Sequence, residues 1–179
     1  MTTTAQKTDL GALGTTAMKM CVDAGAHEVT IRVGRSVSTE LSQRDGQLEK
    51  CEESRSLSLS AELLVNERYS VHSTSDLRNG PLRAFLARAV EATRHLEPDA
   101  NRLLPDRADM GMADVPLTTL DLVDDHWRQI QPHERRCHVE DLEKALVESS
   151  NEDPVRSITT YVWDGETERI VVCSNGFEG

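Results

Sequence analysis

Residues 56–65 read SLSLSAELLV, and this alternation of apolar and polar residues decides the fold class of the chain. Successive side chains of a strand point to opposite sides, so the apolar members of the run share one face. They are Leu57, Leu59, Ala61 and Leu63. The run therefore predicts a β-strand with one buried face, which needs neighbouring strands and a covering layer.

The segments on either side of this run predict a helix followed by a meander. An apolar helical stripe begins after Thr8 or Asp9, either of which can cap a helix, and Gly25 is placed to end it. Its members are Leu10, Leu13, Ala17, Met20, Cys21 and Ala24. Asp45-Gly46 is a strong hairpin signal. With the run 56–65, the alternating segments 28–34, 37–41, 47–53 and 69–73 predict five antiparallel strands.

Residues 79–174 predict two more helices and a final hairpin. One helix starts at 79–81, where a proline suits the first helical position, and its apolar stripe ends near residue 97. We predict that residues 98–130 form an extended connection between the second and third helices. A third helix runs from Pro132 to about Ser149 and buries Val139, Leu142, Ala145 and Leu146. Two strands, 155–163 and 168–174, joined through Asp164-Gly165, complete the prediction.

These elements together predict the α+β class, with mainly antiparallel sheet and about three helices packed on it. The whole chain, 1–179, is predicted to form a single domain. Its parts are a helix, strand meander and helix over 1–97, the extended connection over 98–130, and a helix with the terminal hairpin over 131–179. Ile170, Val172 and Phe177 are expected to leave apolar surface at an open strand edge, through which the isolated chain self-associates.

Charge excludes several classes of partner. The 179 residues include 20 Lys and Arg against 31 Asp and Glu, for a formal net charge of −11. Residues 101–179 hold 8 basic and 17 acidic groups, so the second half carries most of the excess. Nucleic-acid and anionic-membrane binding both rest on clustered basic residues. The chain is therefore expected to bind neither, and its partners are expected to be proteins or peptides.

The sequence also bears on compartment and redox state. No apolar stretch approaches the roughly 18 residues that a membrane span needs. The start, MTTTAQKTDLGALG, lacks the basic-then-apolar pattern of a signal peptide, which predicts a cytoplasmic protein. The four cysteines, Cys21, Cys51, Cys137 and Cys173, form no C-x-x-C pair, so reduced and mostly buried thiols are expected.

One string resembles a catalytic motif. Residues 133–138 read HERRCH, which offers His133, Glu134, Cys137 and His138 as candidate zinc ligands or catalytic groups. Two histidines at i and i+5 diverge by roughly 140° on a regular helix. A third ligand is missing, and two adjacent arginines oppose a dication. We interpret the string as a solvated first helical turn and predict no catalytic, cofactor-binding or metal-binding residue in the chain.

Six short segments, in this order, resemble the N-terminal domain of the TldD/PmbA family, also called modulators of DNA gyrase. They are AGAHEVTIRV at 24–33, RDGQLE at 44–49, STSDL at 73–77, LPD at 104–106, LDLVD at 120–124 and VCSNGFEG at 172–179. The resemblance covers essentially the whole chain but only the family's N-terminal domain. Asn66-Glu67-Arg68 departs from the family's D-G-R turn, which is expected to loosen that hairpin without changing its topology.

The resemblance implies a role without catalysis by this chain. Family proteases process or degrade peptides, and their zinc-binding H-E-x-x-x-H lies in the C-terminal domain of the TldD-type subunit. The resemblance therefore implies no cofactor in this chain, and a role in subunit contact and cleft shaping within a homo- or hetero-oligomer. Two alternatives stay open, a stand-alone protein-interaction module and a zinc hydrolase that uses residues 133–138.

Overall fold

The computed structural model describes residues 9–110, 117–124, 126–150 and 156–179. The described residues form three α-helices and one antiparallel sheet of four strands in the order β3-β2-β1-β4. The helices are α1 (Leu10–Asp23), α2 (Asn79–Thr93) and α3 (Pro132–Ser149); the strands are β1 (Glu28–Arg44), β2 (Gln47–Val65), β3 (Arg68–Thr74) and β4 (Thr159–Cys173). Three single 3₁₀ turns lie at Arg107–Asp109, Leu117–Leu120 and Trp127–Gln129. The α+β prediction is confirmed.

The strands are fewer and longer than the sequence predicts. Segments 28–34 and 37–41 are one strand, β1, and segments 47–53 and 56–65 are one strand, β2. The polar residues between these segments look like breaks in the sequence. In the structure they continue the ladder, because a strand with exposed faces accepts polar side chains and pairing with neighbours decides its length. The hairpin at Asp45-Gly46 is confirmed, with φ of 49° and 79°.

Two compact units divide the chain. The first comprises 1–35, 56–115 and 168–179, and the second comprises 36–55 and 116–167. The main hydrophobic core lies in the first unit, between α1, α2 and their portion of the sheet. Its largest fully buried side chains are Ile31, Leu59, Leu63, Leu82, Leu86, Val29, Val33, Val65 and Val90. The predicted stripe of α1 is confirmed, with Asp9 Oδ1 accepting the Ala12 N–H at 3.0 Å as the helix cap.

The second unit buries a different face of α3 than the sequence predicts. Val139 is buried, but Leu142 and Leu146 are 48% and 47% exposed, and Ala145 is exposed as well. The inward positions are Arg135, Val139 and Glu143, spaced four residues apart on one side of the helix. The prediction of an aliphatic stripe was wrong because this helix buries charged groups that find polar partners in the unit.

The predicted terminal hairpin at Asp164-Gly165 is also wrong, because β4 passes straight through it. Gly165 lies in the strand, where a Cβ would stand 2.7 Å from the Val37 carbonyl oxygen and 3.2 Å from the Cα of Ser38. A glycine inside a strand often marks such a close approach of two backbones. Its role here is contact with β1 and not a turn.

Gly165→Ala is therefore expected to destabilise the second unit by about 1–3 kcal/mol, the usual cost of overpacking. Urea unfolding followed by tryptophan fluorescence measures it, since Trp127 and Trp163 both belong to this unit. Gly80→Ala is the control for an added methyl group, because a Cβ at Gly80 meets nothing within 4 Å, and circular dichroism follows its unfolding since Gly80 lies in the first unit. Equal stability of the two variants would contradict the close approach.

The chain turns back on itself after β4. Val171 N–H donates to Gly179 O at 2.7 Å, and Gly179 N–H donates to Val171 O at 3.0 Å. Val172 is 4% exposed and packs beside Gly14 of α1. The expectation that Val172 contributes to an open apolar edge is therefore wrong. Among the described residues, no helix has the length and apolar character to span a membrane.

The β2–β3 hairpin forms with non-glycine residues in left-handed conformations. Asn66 and Glu67 have φ of 49° and 63°, and Val65 pairs with Arg68 across the turn. Such a conformation costs a side chain other than glycine, asparagine or aspartate roughly 1–2 kcal/mol. Part of the hairpin's stability is therefore lost at Glu67.

Glu67→Gly is expected to stabilise the first unit by about 1 kcal/mol, less the entropy that glycine adds to the unfolded chain. Asn66→Gly is the control and is expected to gain less, because asparagine tolerates this conformation. Chemical unfolding followed by circular dichroism compares the two. A destabilised Glu67→Gly variant would contradict the strain at this turn.

Candidate functional site

The string HERRCH forms the first two turns of α3. Gln131 N–H donates to Glu134 Oε2 at 2.5 Å, as the capping box of the helix. His133, Cys137 and His138 are exposed on this helix. The carboxylate of Glu134 therefore holds the helix start, and the two histidines keep their i, i+5 spacing. Among the described residues, no three His, Cys, Asp or Glu side chains come close enough to share a metal ion.

We expect the purified chain to carry no stoichiometric zinc and to cleave no peptide, because His133 and His138 leave α3 in different directions. Elemental analysis and a peptide-cleavage assay check this. About one zinc per chain, lost together with cleavage in His133→Ala but kept in His95→Ala, would overturn it. His95 serves as the control because it is an exposed histidine beyond the end of α2.

A buried ion pair that the sequence did not indicate lies between α3 and β4. Arg135 Nε stands 2.5 Å from Asp164 Oδ2, and its Nη2 stands 3.1 Å from Oδ1. The Arg135 Nη1 group donates to the Ile130 carbonyl at 2.8 Å, and Trp127 Nε1 donates to Asp164 Oδ1 at 3.0 Å. The side chains of the pair are only 10% and 19% exposed. Bidentate geometry with added hydrogen bonds is what a buried pair needs to be stable.

A second polar cluster surrounds the Asp45-Gly46 hairpin. The buried carboxylate of Glu143 accepts hydrogen bonds from the Gln43 side-chain amide and, at 2.7 Å, from Gly46 N–H. Asp45 accepts from Ile158 N–H at 2.9 Å and from the Ser157 hydroxyl at 2.8 Å. These two hydrogen bonds, the backbone one first, lower the pKa of Asp45 below its usual value.

A cleft of about 340 Å³ lies beside this cluster and is lined by Asp45, Glu143, Val147, Ser150, Arg156, Ser157 and Ile158. Both of its carboxylates accept hydrogen bonds from the protein itself. The lowered pKa of Asp45 keeps its carboxylate ionised, so Asp45 is a poor general acid. The carboxylate of Glu143 therefore attaches α3 to the hairpin, and that of Asp45 attaches the hairpin to Ile158. This arrangement does not suggest a reaction.

The first unit holds a smaller cleft of about 130 Å³ near the turn of the 98–110 segment. Glu28 Oε2 accepts the Leu104 N–H at 2.7 Å, and the Arg102 guanidinium lies 4.6 Å from the centre of the Tyr69 ring. These contacts attach the segment to β1 and β3. Glu28 and Arg102, two charged residues of the cleft, therefore have structural roles.

Two aromatic side chains stand out on the surface of the second unit. Tyr161 is 69% exposed and Trp163 is 64% exposed, and both come from β4. Their neighbours Thr160 and Asp164 point the other way, since the Thr160 hydroxyl donates to Val139 O of α3 and Asp164 pairs with Arg135. Tyr161 and Trp163, which we name the aromatic pair, therefore share the face of β4 opposite α3. The sequence placed both in strands but gave no sign of their exposure.

The cysteines divide between the units. Cys21 and Cys173 are buried in the first unit, whereas Cys51 and Cys137 are exposed in the second. Burial raises the pKa of Cys21 to about 12. All four thiols are free, as predicted, but the expectation that most are buried holds for only two.

Comparison with known proteins agrees with this fold. Residues 29–93 match the family model of domain 1 of the PmbA/TldA metallopeptidases. The matched residues span β1, β2, β3 and α2. The resemblance of the chain to the N-terminal domain of the TldD/PmbA family, predicted from its sequence, is confirmed. No curated protein matches the chain.

Three of the solved structures to which the chain is similar are compared with it below. A Bacteroides thetaiotaomicron VPI-5482 protein described as a modulator of DNA gyrase is 26% identical, with a TM-score of 0.81 over 94% of this chain and 37% of that chain. TldE from Thermococcus kodakarensis is 15% identical, with a TM-score of 0.67 over 93% of this chain and 36% of that chain. A Thermotoga maritima MSB8 protein described as a modulator of a DNA gyrase is 14% identical, with a TM-score of 0.63 over 94% and 36%. The last two show the fold alone, and this chain spans little more than a third of each protein.

Proposed function

We propose that the chain acts as a non-catalytic N-terminal domain in a TldD/PmbA-type metallopeptidase assembly that processes or degrades peptides. Its role there is subunit contact and shaping of the peptide cleft. The observation that carries the proposal is the match to the Bacteroides thetaiotaomicron protein over 94% of this chain, at a TM-score of 0.81 and 26% identity. The family model matched by residues 29–93 is named for a metallopeptidase domain, which supports the reaction class.

The chemistry of the described residues supports a non-catalytic role. His133 and His138 diverge on α3, and Glu134 is used by the helix cap. The carboxylates of Glu143 and Asp164 accept hydrogen bonds from the protein. In this proposal, zinc and the catalytic groups belong to another part of the assembly, as the family resemblance implies.

The charge of the chain supports the rest of the proposal. A net charge of −11 disfavours nucleic acid and anionic membranes as partners. The proposed partners are therefore proteins or peptides, in a homo- or hetero-oligomer that works in the cytoplasm.

A chimaera tests the subunit role. This chain replaces the matching segment of the Bacteroides thetaiotaomicron protein, and the same protein with that segment deleted serves as the control. Sedimentation velocity is expected to show the chimaera in the parental assembly and the deleted protein outside it. A folded chimaera that stays monomeric while its parent assembles, or a parent that is itself monomeric, would contradict the proposed role.

The exposed aromatic pair favours a second candidate, a stand-alone protein-interaction module. Monomeric proteins rarely leave two large aromatic side chains together on a surface without a partner. In that case the chain binds its partner without restoring assembly in the chimaera. The same sedimentation experiment therefore separates the two functions.

A further inference from the structure

Among the described residues, β4 is an edge strand of the sheet in the second unit. β4 ends the sheet order, with β1 as its neighbour on one side. On the other side, the described residues place only the short return of 177–179, near the strand's C-terminal end. There Val171 N–H donates to Gly179 O and Cys173 N–H donates to Phe177 O, at 2.7 and 2.9 Å. Backbone groups of odd-numbered residues at that end therefore point away from β1.

The same direction applies along the strand. Burial alternates without interruption from Thr159 to Ile170, so no bulge changes the side to which a residue points. The N–H and C=O groups of Tyr161, Trp163 and Thr167 therefore face the open edge. Their side chains lie on the face opposite α3. A strand from a partner, added at this edge, would therefore contact both backbone hydrogen-bonding groups and an aromatic surface.

We propose that this edge binds an extended, basic segment of a protein partner by strand addition, with the partner's side chains against Tyr161 and Trp163. Residues two apart on one face lie close enough for one extended segment to contact both rings. Tyrosine and tryptophan are the side chains most enriched in the energetic centres of interfaces. The proposal holds whether or not the chain works in a peptidase.

The negative charge of the second unit favours a basic partner segment at this edge. The second unit contains 8 basic and 17 acidic residues, a net charge of −9 out of −11 for the chain. A second copy of the same edge would meet like charge, which disfavours a β4–β4 dimer. A segment that carries lysine or arginine meets attraction, and arginine also stacks favourably on Trp163 and Tyr161.

Binding of a synthetic ten-residue peptide of alternating arginine and valine tests the proposal. Isothermal titration calorimetry at low salt is expected to show binding that weakens at least about tenfold in roughly 0.5 M NaCl. A peptide with glutamate in place of arginine is expected not to bind. A third peptide keeps the arginines but carries N-methyl groups on alternate amides, and it is expected to lose most of its binding because strand addition needs those amides.

Variants locate the site. Trp163→Ser is expected to weaken binding about tenfold or more, as for an energetic centre of an interface. Val71→Ser is the matched control, since Val71 is 50% exposed on β3, the opposite edge strand. Thr167→Pro removes one outward N–H, which an edge strand tolerates, and it tests the site even if Trp163→Ser fails to fold. Circular dichroism confirms folding of each variant.

Four outcomes would overturn the proposal. They are equal binding of the N-methylated peptide, equal binding of the glutamate peptide, unchanged binding in both folded β4 variants, and sedimentation of the chain as a dimer that Thr167→Pro dissociates. The last result would mean that a second copy occupies the edge. None of these outcomes depends on peptide cleavage or on assembly of the chimaera, so the proposed function is tested separately.

Discussion

Replacing Leu59 by Asp is expected to unfold the first unit. Leu59 is fully buried on β2, in the core formed with α1 and α2, and stands opposite Thr74 in the β2–β3 ladder. A carboxylate placed there has no cationic partner in the core. An uncompensated buried charge costs several kcal/mol, against a typical total stability of about 5–15 kcal/mol. Circular dichroism at 222 nm is expected to show loss of the helical signal.

Val71→Asp is the control for this change. Val71 lies on β3 with half of its surface exposed, so the new carboxylate stays in water. We expect a loss within about 1 kcal/mol, the range of surface strand substitutions. A Leu59→Asp variant as stable as Val71→Asp would mean that the alternation of β2 has been assigned to the wrong face.

Replacing Arg135 by Met is expected to have the second large effect. It leaves the Asp164 carboxylate mostly buried and without its cation, while Trp127 Nε1 remains its donor. Breaking a buried pair by removing one partner costs about 3–5 kcal/mol. Urea unfolding monitored by tryptophan fluorescence measures the loss in the second unit, where both tryptophans reside.

Two further variants identify the cause. Arg136→Met removes an exposed arginine from the same helix, where it pairs with Glu140, and is expected to cost at most about 0.5 kcal/mol. Arg135→Met combined with Asp164→Leu removes both charges and is expected to be more stable than Arg135→Met alone. A double variant that is less stable would show that packing of the arginine stem, and not charge, dominates.

The first unit follows its sequence closely because apolar periodicity governs it. The stripe of α1 with its cap at Asp9 and the alternation of 56–65 are local patterns, and the structure confirms both of them. The α+β class follows from those patterns alone. Local signals therefore sufficed wherever a segment buries aliphatic side chains.

The second unit departs from its sequence because polar contacts govern it. Arg135 and Glu143 are buried by partners distant in the chain, Asp164 and Gln43, which no local pattern connects to them. Gly165 resembles a turn residue until its distance to Val37 is known. The aromatic pair is likewise visible only once the covered face of β4 is known. Apolar periodicity in the sequence does not show which residues distant in the chain pair with each other.

The distribution of thiols makes the two units chemically distinguishable. Cys51 and Cys137 are exposed and open to alkylation, whereas burial keeps Cys21 protonated, and the thiolate is the reactive form. A maleimide dye added to the folded chain therefore marks the second unit alone. Later, slower incorporation at Cys21 and Cys173 requires the first unit to open, so its rate measures how often that unit opens. The native thiols thus allow selective labelling of the second unit and a measurement of the opening rate of the first unit.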